Sequence, residues 1–178
     1  MDLMQFDIKT AFLYGDLNEE IYMVQPPGFG DGTERVLRCR KGLYGLKQAP
    51  RQWNEKINNF FKSQNYHQCE ADKCCFVNNN DGLTICVIYV DDGLIASTNQ
   101  QQLTKLISNL KISFEVKAHS PQVFVGMEIY QSDDKSSIKI KQSNYIKKLL
   151  KPVNLIELRS FSRFLGFSFA KKRRTIDH

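Results

Sequence analysis

The chain opens on a short apolar run, Leu3 to Ile8, that reads as a strand, and the stretch from there through Gly30 is interrupted by Gly15, Pro26, Pro27 and Gly28, which predicts an irregular excursion. The period changes at Arg51. Trp53, Ile57, Phe60 and Phe61 fall on one face of a helical repeat, with Pro50 suited to its first turn and Asn65 to its end. Cys75 to Val77, a turn-rich segment from Asn78 to Gly82, and Leu83 to Val90 follow as strand, turn and strand. Asp91, Asp92 and Gly93 break that apolar run and Leu94 to Ser97 resumes it, so Ile85 to Ala96 is predicted as a hairpin turning on Asp91-Asp92-Gly93. A second helix carries the stripe Leu103, Leu106, Ile107 and Leu110, with Thr98 or Asn99 as its cap. Val123 to Tyr130 and Ser137 to Lys141 read as two further strands, and Asn144 to Leu150 as a short helix stopped by Pro152.

Placed in order, the main elements read strand, helix, strand, strand, helix, strand. That is the split β-α-β or ferredoxin-like arrangement of the α+β class, an antiparallel sheet with its helices on one face. In it the first two long strands run parallel with the third inserted antiparallel between them, so Asp7, near the end of the first strand, should lie beside Asp91 and Asp92.

Composition narrows the picture only a little. A chain of 178 residues, 42% hydrophobic, is long enough for one sizeable core and hence one main site. The 25 Lys and Arg against 19 Asp and Glu give a net charge of +6, which favours polyanionic partners where that charge clusters. The five cysteines show no repeated C-x-x-C spacing, and His67, His119 and His178 add no zinc-finger pattern, so reduced thiols in an intracellular protein without structural zinc are expected. Met1 to Lys9 already holds three charges, unlike a secretory signal, and no run reaches the ~18 apolar residues of a membrane span. A soluble protein with no membrane partner follows. The basic run Lys171 to Arg174 reads as a solvated tail.

Carboxylates gathered at one sheet edge repel one another unless a cation is bound. Mg²⁺ is a natural resolution, because it takes oxygen ligands from one or two carboxylates together with substrate phosphates. Two such ions about 3.5 to 4 Å apart activate an attacking oxygen and stabilise a leaving one. Taken singly, Asp-Asp-Gly is an ordinary turn and Asp7 an ordinary strand end; it is their expected convergence that points to phosphoryl transfer.

The segments Gln5-Phe6-Asp7-Ile8-Lys9-Thr10-Ala11-Phe12-Leu13, Gly42-Leu43-Tyr44-Gly45-Leu46-Lys47-Gln48-Ala49-Pro50-Arg51 and Tyr89-Val90-Asp91-Asp92 resemble motifs A, B and C of copia-type reverse transcriptases, in the family's order. Phe124-Val125-Gly126-Met127-Glu128-Ile129 resembles the family's primer-grip hairpin. The resemblance runs from about residue 3 to about residue 150 and implies a polymerase palm. It implies that Asp7 and Asp91 bridge two Mg²⁺ or Mn²⁺ ions, that Asp92 completes the acidic site, and that Phe12 is the bulky gate excluding a ribose 2′-hydroxyl. Gln48, Ala49 and Pro50 match the segment under the templating base and incoming nucleotide. Lys117 matches a lysine that assists the pyrophosphate leaving group, and Phe124, Val125, Gly126 and Met127 the primer grip. The implied partners are an RNA or DNA template with its primer, deoxynucleoside triphosphates, and the fingers and ribonuclease H regions of a Pol polyprotein. The implied location is a cytoplasmic virus-like particle or the nucleus.

The sequence also departs from the family. It begins six residues before Asp7, so the fingers region that precedes motif A is expected to be missing, and Lys117-Ala118-His119-Ser120-Pro121-Gln122 replaces the usual Asp-Leu-Gly approach to the primer grip. After Val153 the resemblance fades. Residues 1–116 are read as the palm, 117–150 as the primer-grip-like hairpin and short helix, and 151–178 as an unassigned basic tail. Three functions are compatible with these residues: an RNA-directed DNA polymerase fragment, a catalytically silent remnant or adopted nucleic-acid-binding module, and a metal-dependent nuclease, against which Phe12 and motif B argue.

Overall fold

Strand β1 spans Asp2–Ile8, and its alternation sorts its side chains to two faces: Phe6 and Ile8 are fully buried, while Asp7 lies on the other face, half-buried. A 3-10 turn, Ala11–Tyr14, follows. The segment expected to be an irregular excursion instead holds an antiparallel ribbon of β2 (Asp16–Val24) and β3 (Val36–Lys41). Pro26, Pro27 and Gly28 lie in its connection, residues 25–35. A register shift between Asp16 and Ile21 breaks the strand's alternation, and this hides it in the sequence.

Helix α1 (Ala49–Ser63) starts two residues before the predicted Arg51, with Pro50 in its first turn. Then come β4 (His67–Gln68), β5 (Cys75–Asn78), β6 (Thr84–Tyr89) and β7 (Asp92–Ser97). Helix α2 (Gln100–Ser113) is capped by Asn99, whose Oδ1 accepts from the Gln101 and Gln102 amides at 2.9 and 3.3 Å. β8 (Val116–His119) closes the main sheet, while β9 (Val123–Phe124), β10 (Met127–Gln131) and β11 (Ile138–Lys141) form a second, three-stranded one.

The computed structural model describes residues 1–150. By backbone contacts the chain divides into Met1–Ile140 and Lys141–His178. The described part of the latter is chiefly α3 (Ser143–Leu150); Pro152, the basic run 171–174 and the rest of the expected tail lie outside the described residues.

The six-stranded sheet has the order β4-β5-β6-β7-β1-β8, with every neighbouring pair antiparallel. β1 and β6 are therefore parallel with β7 between them, as the element order predicts. The strand on the outer side of β1 is Val116–His119, and the predicted occupant, Val123–Tyr130, belongs to the second sheet. Four residues with only Val116 and Ala118 half-buried are too few to register as a strand pattern. Val123–Tyr130 is itself folded back at Val125 and Gly126, whose φ values of 48° and 76° make the two-residue turn of a hairpin. The β6–β7 turn also moves: Tyr89 pairs with Asp92, leaving Val90 and Asp91 as turn residues instead of Asp91-Asp92-Gly93.

One core joins the helices to the sheet. Trp53, Ile57, Phe60 and Phe61 of α1 and Leu103, Leu106, Ile107 and Leu110 of α2 cluster with Phe6, Ile8, Phe76, Cys86, Ile88 and Ile95. Gly93 sits directly across from Phe6, and a Cβ built there would stand 2.0 Å from the Phe6 ring. The absence of a side chain at that position is what admits the ring. Thr84 and Ser97 meet inside the sheet with hydroxyls 2.7 Å apart, and Gln102 takes the Thr84 hydroxyl at 2.6 Å. Among the described residues no buried side-chain polar atom lacks a partner.

Candidate active site

The strand register assembles the acidic residues. Asp7 on β1 pairs with Asp92 at the start of β7, so both lie on the face opposite the helices, and Asp91 stands in the adjoining turn. That turn is strained. Val90 adopts φ 57°, a left-handed conformation that costs a β-branched residue roughly 1–3 kcal/mol. Two hydrogen bonds hold it there: the Trp53 indole N–H donates to the Val90 carbonyl at 2.7 Å, and the Ile8 amide donates to the Asp91 carbonyl at 2.8 Å. Trp53 is in turn fixed by edge contact with Phe114, centroids 5.5 Å apart. Trp53→Phe should therefore destabilise the chain by about 2 kcal/mol, because the Val90 carbonyl loses its donor. Urea unfolding followed by far-ultraviolet circular dichroism measures this, since Trp53 is the single tryptophan; an unchanged midpoint would mean that the indole bond does not hold the turn.

Phe12 lies on the 3-10 turn, half-buried, with its ring centroid 4.4 Å from that of Tyr44. Close packing puts it there. A Cβ on Gly42 would stand 2.7 Å from the Phe12 carbonyl oxygen and 3.1 Å from Cβ of the fully buried Ala49. Gln48 is tied to β2 through a 2.6 Å bond from its amide nitrogen to Glu19, and Pro50 is exposed. Phe12, Pro50, Trp53, Tyr89 and Val90 share the wall of an apolar cavity of about 300 Å³. Tyr44 was quoted in the motif but given no role by sequence reasoning. Its ring lies on Phe12, and its hydroxyl donates a long 3.4 Å hydrogen bond to Asp91 Oδ2, linking the aromatic wall to the acidic residues.

The charges feel one another. Burial, then the charges of Asp91 and Asp7, raise the Asp92 carboxyl from its ordinary value, with His119 opposing. Loss of surrounding water, then the Asp91 charge, the hydrogen bond to Asp91 and the Asp7 charge push the Tyr44 phenol up as well. For Asp92 the folded protein holds its proton more tightly than the unfolded chain, so its ionisation weakens the fold. The penalty is complete above the raised folded value and vanishes below the unfolded one. Asp92→Asn should accordingly raise the melting temperature at neutral pH in chelator-containing buffer, with a gain that shrinks as the pH falls into the carboxylate range. A variant less stable than the parent at pH 7 would show that the carboxylate is not under strain.

Lys117 falls on β8 directly across from Asp7 in the register and is exposed. The hairpin Phe124 to Met127 is hung from the strand that carries Asp7: Gln5 Nε2 donates to the Val123 carbonyl at 2.8 Å, and its Oε1 accepts from the Gln122 amide at 3.2 Å. Phe124 is buried, Val125 projects at the turn and Met127 is half-buried. Gln5 is itself 5% exposed, a buried polar residue whose purpose its sequence position does not disclose. Among the described residues no three carboxylate, imidazole or thiol groups converge closely enough to enclose a metal ion. Asp7, Asp91 and Asp92 are nevertheless oxygen donors, the first two near enough for their charge to reach Asp92, and Mg²⁺ characteristically takes one or two protein carboxylates with water or phosphate completing its shell. The donor set fits such a cation.

Residues 2–164 match the family described as Reverse transcriptase (RNA-dependent DNA polymerase), and the chain belongs to that family. The match continues past Val153, where the motif resemblance faded. Its relatives specify the kind as the reverse transcriptase of copia-like retrotransposon Pol polyproteins. The chain is 39% identical over 160 residues to the Retrovirus-related Pol polyprotein from transposon TNT 1-94 of Nicotiana tabacum, an alignment covering 87% of this chain and 12% of that protein. It is 35% identical over 158 residues to the Pol polyprotein from transposon RE1 of Arabidopsis thaliana, covering 86% of this chain and 11% of the relative. A putative transposon Ty5-1 protein of Saccharomyces cerevisiae is 36% identical over 152 residues, 80% of this chain and 47% of that protein. The chain thus spans between about a tenth and a half of the length of these relatives. Among the described residues no helix is long and apolar enough to cross a membrane.

Proposed function

We propose that the chain serves as the ferredoxin-like palm of an RNA-directed DNA polymerase, adding deoxynucleotides to a primer annealed to an RNA or DNA template. The observation that carries this reading is the register of Asp7 against Asp92 with Asp91 in the intervening turn. Asp7 and Asp91 would hold two Mg²⁺ or Mn²⁺ ions, with Asp92 completing the acidic set. Such ions, when bound, lower the pKa of the attacking oxygen and neutralise charge on the leaving one. Asp7 and Asp91 fix the place on the palm where the primer terminus must lie for in-line attack. Phe12, backed by Tyr44, fills the space a 2′-hydroxyl would need, and half-buried Gln48 and exposed Pro50, on either side of the buried Ala49, line the floor under the incoming nucleotide. Lys117, opposite Asp7, supplies a proton to the departing pyrophosphate. Phe124 to Met127, anchored through Gln5, steady the primer. Template contacts run through phosphates to Lys and Arg and are salt-sensitive and largely sequence-independent. The fingers and ribonuclease H regions of a Pol polyprotein are its structural partners, in a cytoplasmic particle or the nucleus.

Primer extension by the purified chain on an RNA template tests the reading. Deoxynucleotide incorporation that requires Mg²⁺ or Mn²⁺ and exceeds ribonucleotide incorporation supports a polymerase palm. Template-primer binding without incorporation under any divalent cation would assign the chain instead to nucleic-acid binding.

A further inference from the structure

Away from the acidic face, the outer edge of the main sheet brings two cysteines together. β4 and β5 pair with His67 opposite Val77 and Gln68 opposite Phe76, so the next positions in register are Cys69 and Cys75. The Cys69 amide donates to the Cys75 carbonyl at 2.8 Å, which continues the pairing by one step. The connecting residues are drawn tight: Asp72 accepts from the Cys74 amide at 2.8 Å through its side chain and from the Cys75 amide at 3.1 Å through its carbonyl, while Gln68 Nε2 donates to the Lys73 carbonyl at 2.7 Å. Both cysteines are half-buried and free. Opposed residues in an antiparallel pair have Cα atoms about 4.5 to 5.5 Å apart, within the roughly 4.4 to 6.8 Å that a disulfide spans.

We propose that Cys69 and Cys75 are a redox pair that closes to a disulfide when the folded chain meets a low-molecular-weight disulfide. The Cys69 thiolate attacks one sulfur of the reagent, breaking its S–S bond, forming a mixed disulfide and expelling one thiolate. Cys75, after losing its proton to solvent, attacks the Cys69 sulfur and expels the second. Two cysteine thiols are oxidised and one small disulfide is reduced to two thiols. The order of attack follows from their surroundings. Burial, then the hydrogen bond to Cys69, raise the Cys75 thiol to about 11, so it is the poorer first nucleophile. Cys86 is fully buried in the core, and Cys39 lies on β3 in the separate ribbon. Cys74 is exposed and adjacent in sequence, and is the competitor to be excluded. This inference does not rest on the polymerase reading.

The test is to equilibrate the full chain with oxidised and reduced glutathione under native conditions, block remaining thiols with N-ethylmaleimide, and map the peptides by mass spectrometry. The expected result is loss of two of the five thiols, with the Cys69–Cys75 link exceeding any Cys69–Cys74 link by roughly tenfold. In concentrated guanidinium, where only sequence distance acts, that preference should collapse. A Cys74→Ser chain should form the same link, while Cys75→Ser should stop at a glutathione adduct on Cys69. Adducts without an internal bond, a link that requires Cys74, or equal preference in folded and unfolded chains would each overturn the proposal.

Discussion

If the chain is the polymerase palm proposed above, Asp91→Ala should cut primer extension about a thousandfold while leaving template-primer binding within about twofold of the parent chain, because the proposed binding runs through phosphate contacts. On the proposed polymerase reading, Asp91 positions metal charge on the reacting oxygens, and losing it would forfeit several kcal/mol of transition-state stabilisation, which is about a thousandfold in rate. The fold should survive. Asp91 is half-buried in a turn, and the backbone bonds at Val90 and Asp91 are accepted by carbonyl groups that alanine retains. Single-turnover extension paired with fluorescence anisotropy of labelled template-primer separates the two effects. Undiminished extension would remove Asp91 from the chemistry; parallel loss of binding would mean that the variant had disturbed the palm surface. Asp7→Ala should behave in the same way, since Asp7 shares its face with Asp92 through the strand register.

Gly93→Ala should be the most damaging single-methyl change in the core. Its Cβ would meet the Phe6 ring at 2.0, 2.3 and 2.6 Å, and Phe6 has no accessible surface through which to retreat. Overpacking of this kind costs about 3 kcal/mol, a large share of a domain stability of about 5–15 kcal/mol. Phe6→Leu alone leaves a void, yet combined with Gly93→Ala it should recover part of the loss, a coupling that denaturant unfolding of the double-mutant cycle measures. Strict additivity would show that the two positions do not compete for the same space. Because Gly93 follows Asp92, the same substitution would displace the acidic strand end, and activity should fall with stability.

The sequence carried the placement of Asp7 beside Asp92, one residue from Asp91, because the order of apolar runs fixed which strands must adjoin. It carried the buried face of α2, because Leu103, Leu106, Ile107 and Leu110 form an uninterrupted stripe, and of its two candidate caps, Thr98 and Asn99, the structure uses Asn99. Other parts were hidden for identifiable reasons. The β2–β3 ribbon escaped because Glu19 and Glu20 fall within the register shift that interrupts its alternation. Periodicity read Val123 to Tyr130 as one strand, because a β-branched valine is a poor signal for a left-handed turn, whereas the motif resemblance placed a hairpin at Phe124 to Ile129, where β9 and β10 form one. Val116 to His119 was too short to register, although that strand is what sets Lys117 opposite Asp7. Tyr44 and Gln5 were missed for a different reason. A tyrosine in a loop and a glutamine in a strand acquire their roles from partners 47 and 118 residues away, Asp91 and Val123, which local periodicity does not encode.

The two bonds that clasp the Val90-Asp91 turn come from opposite sides, one from the Trp53 indole on α1 and one from the Ile8 amide on β1. The turn therefore cannot open as an independent surface loop. In hydrogen exchange the Ile8 amide should protect as long as the slowest amides of β6 and β7, exchanging only through global unfolding. The acidic apparatus then vanishes in the same cooperative transition as the core, so loss of function on heating becomes a direct gauge of the fraction of molecules unfolded.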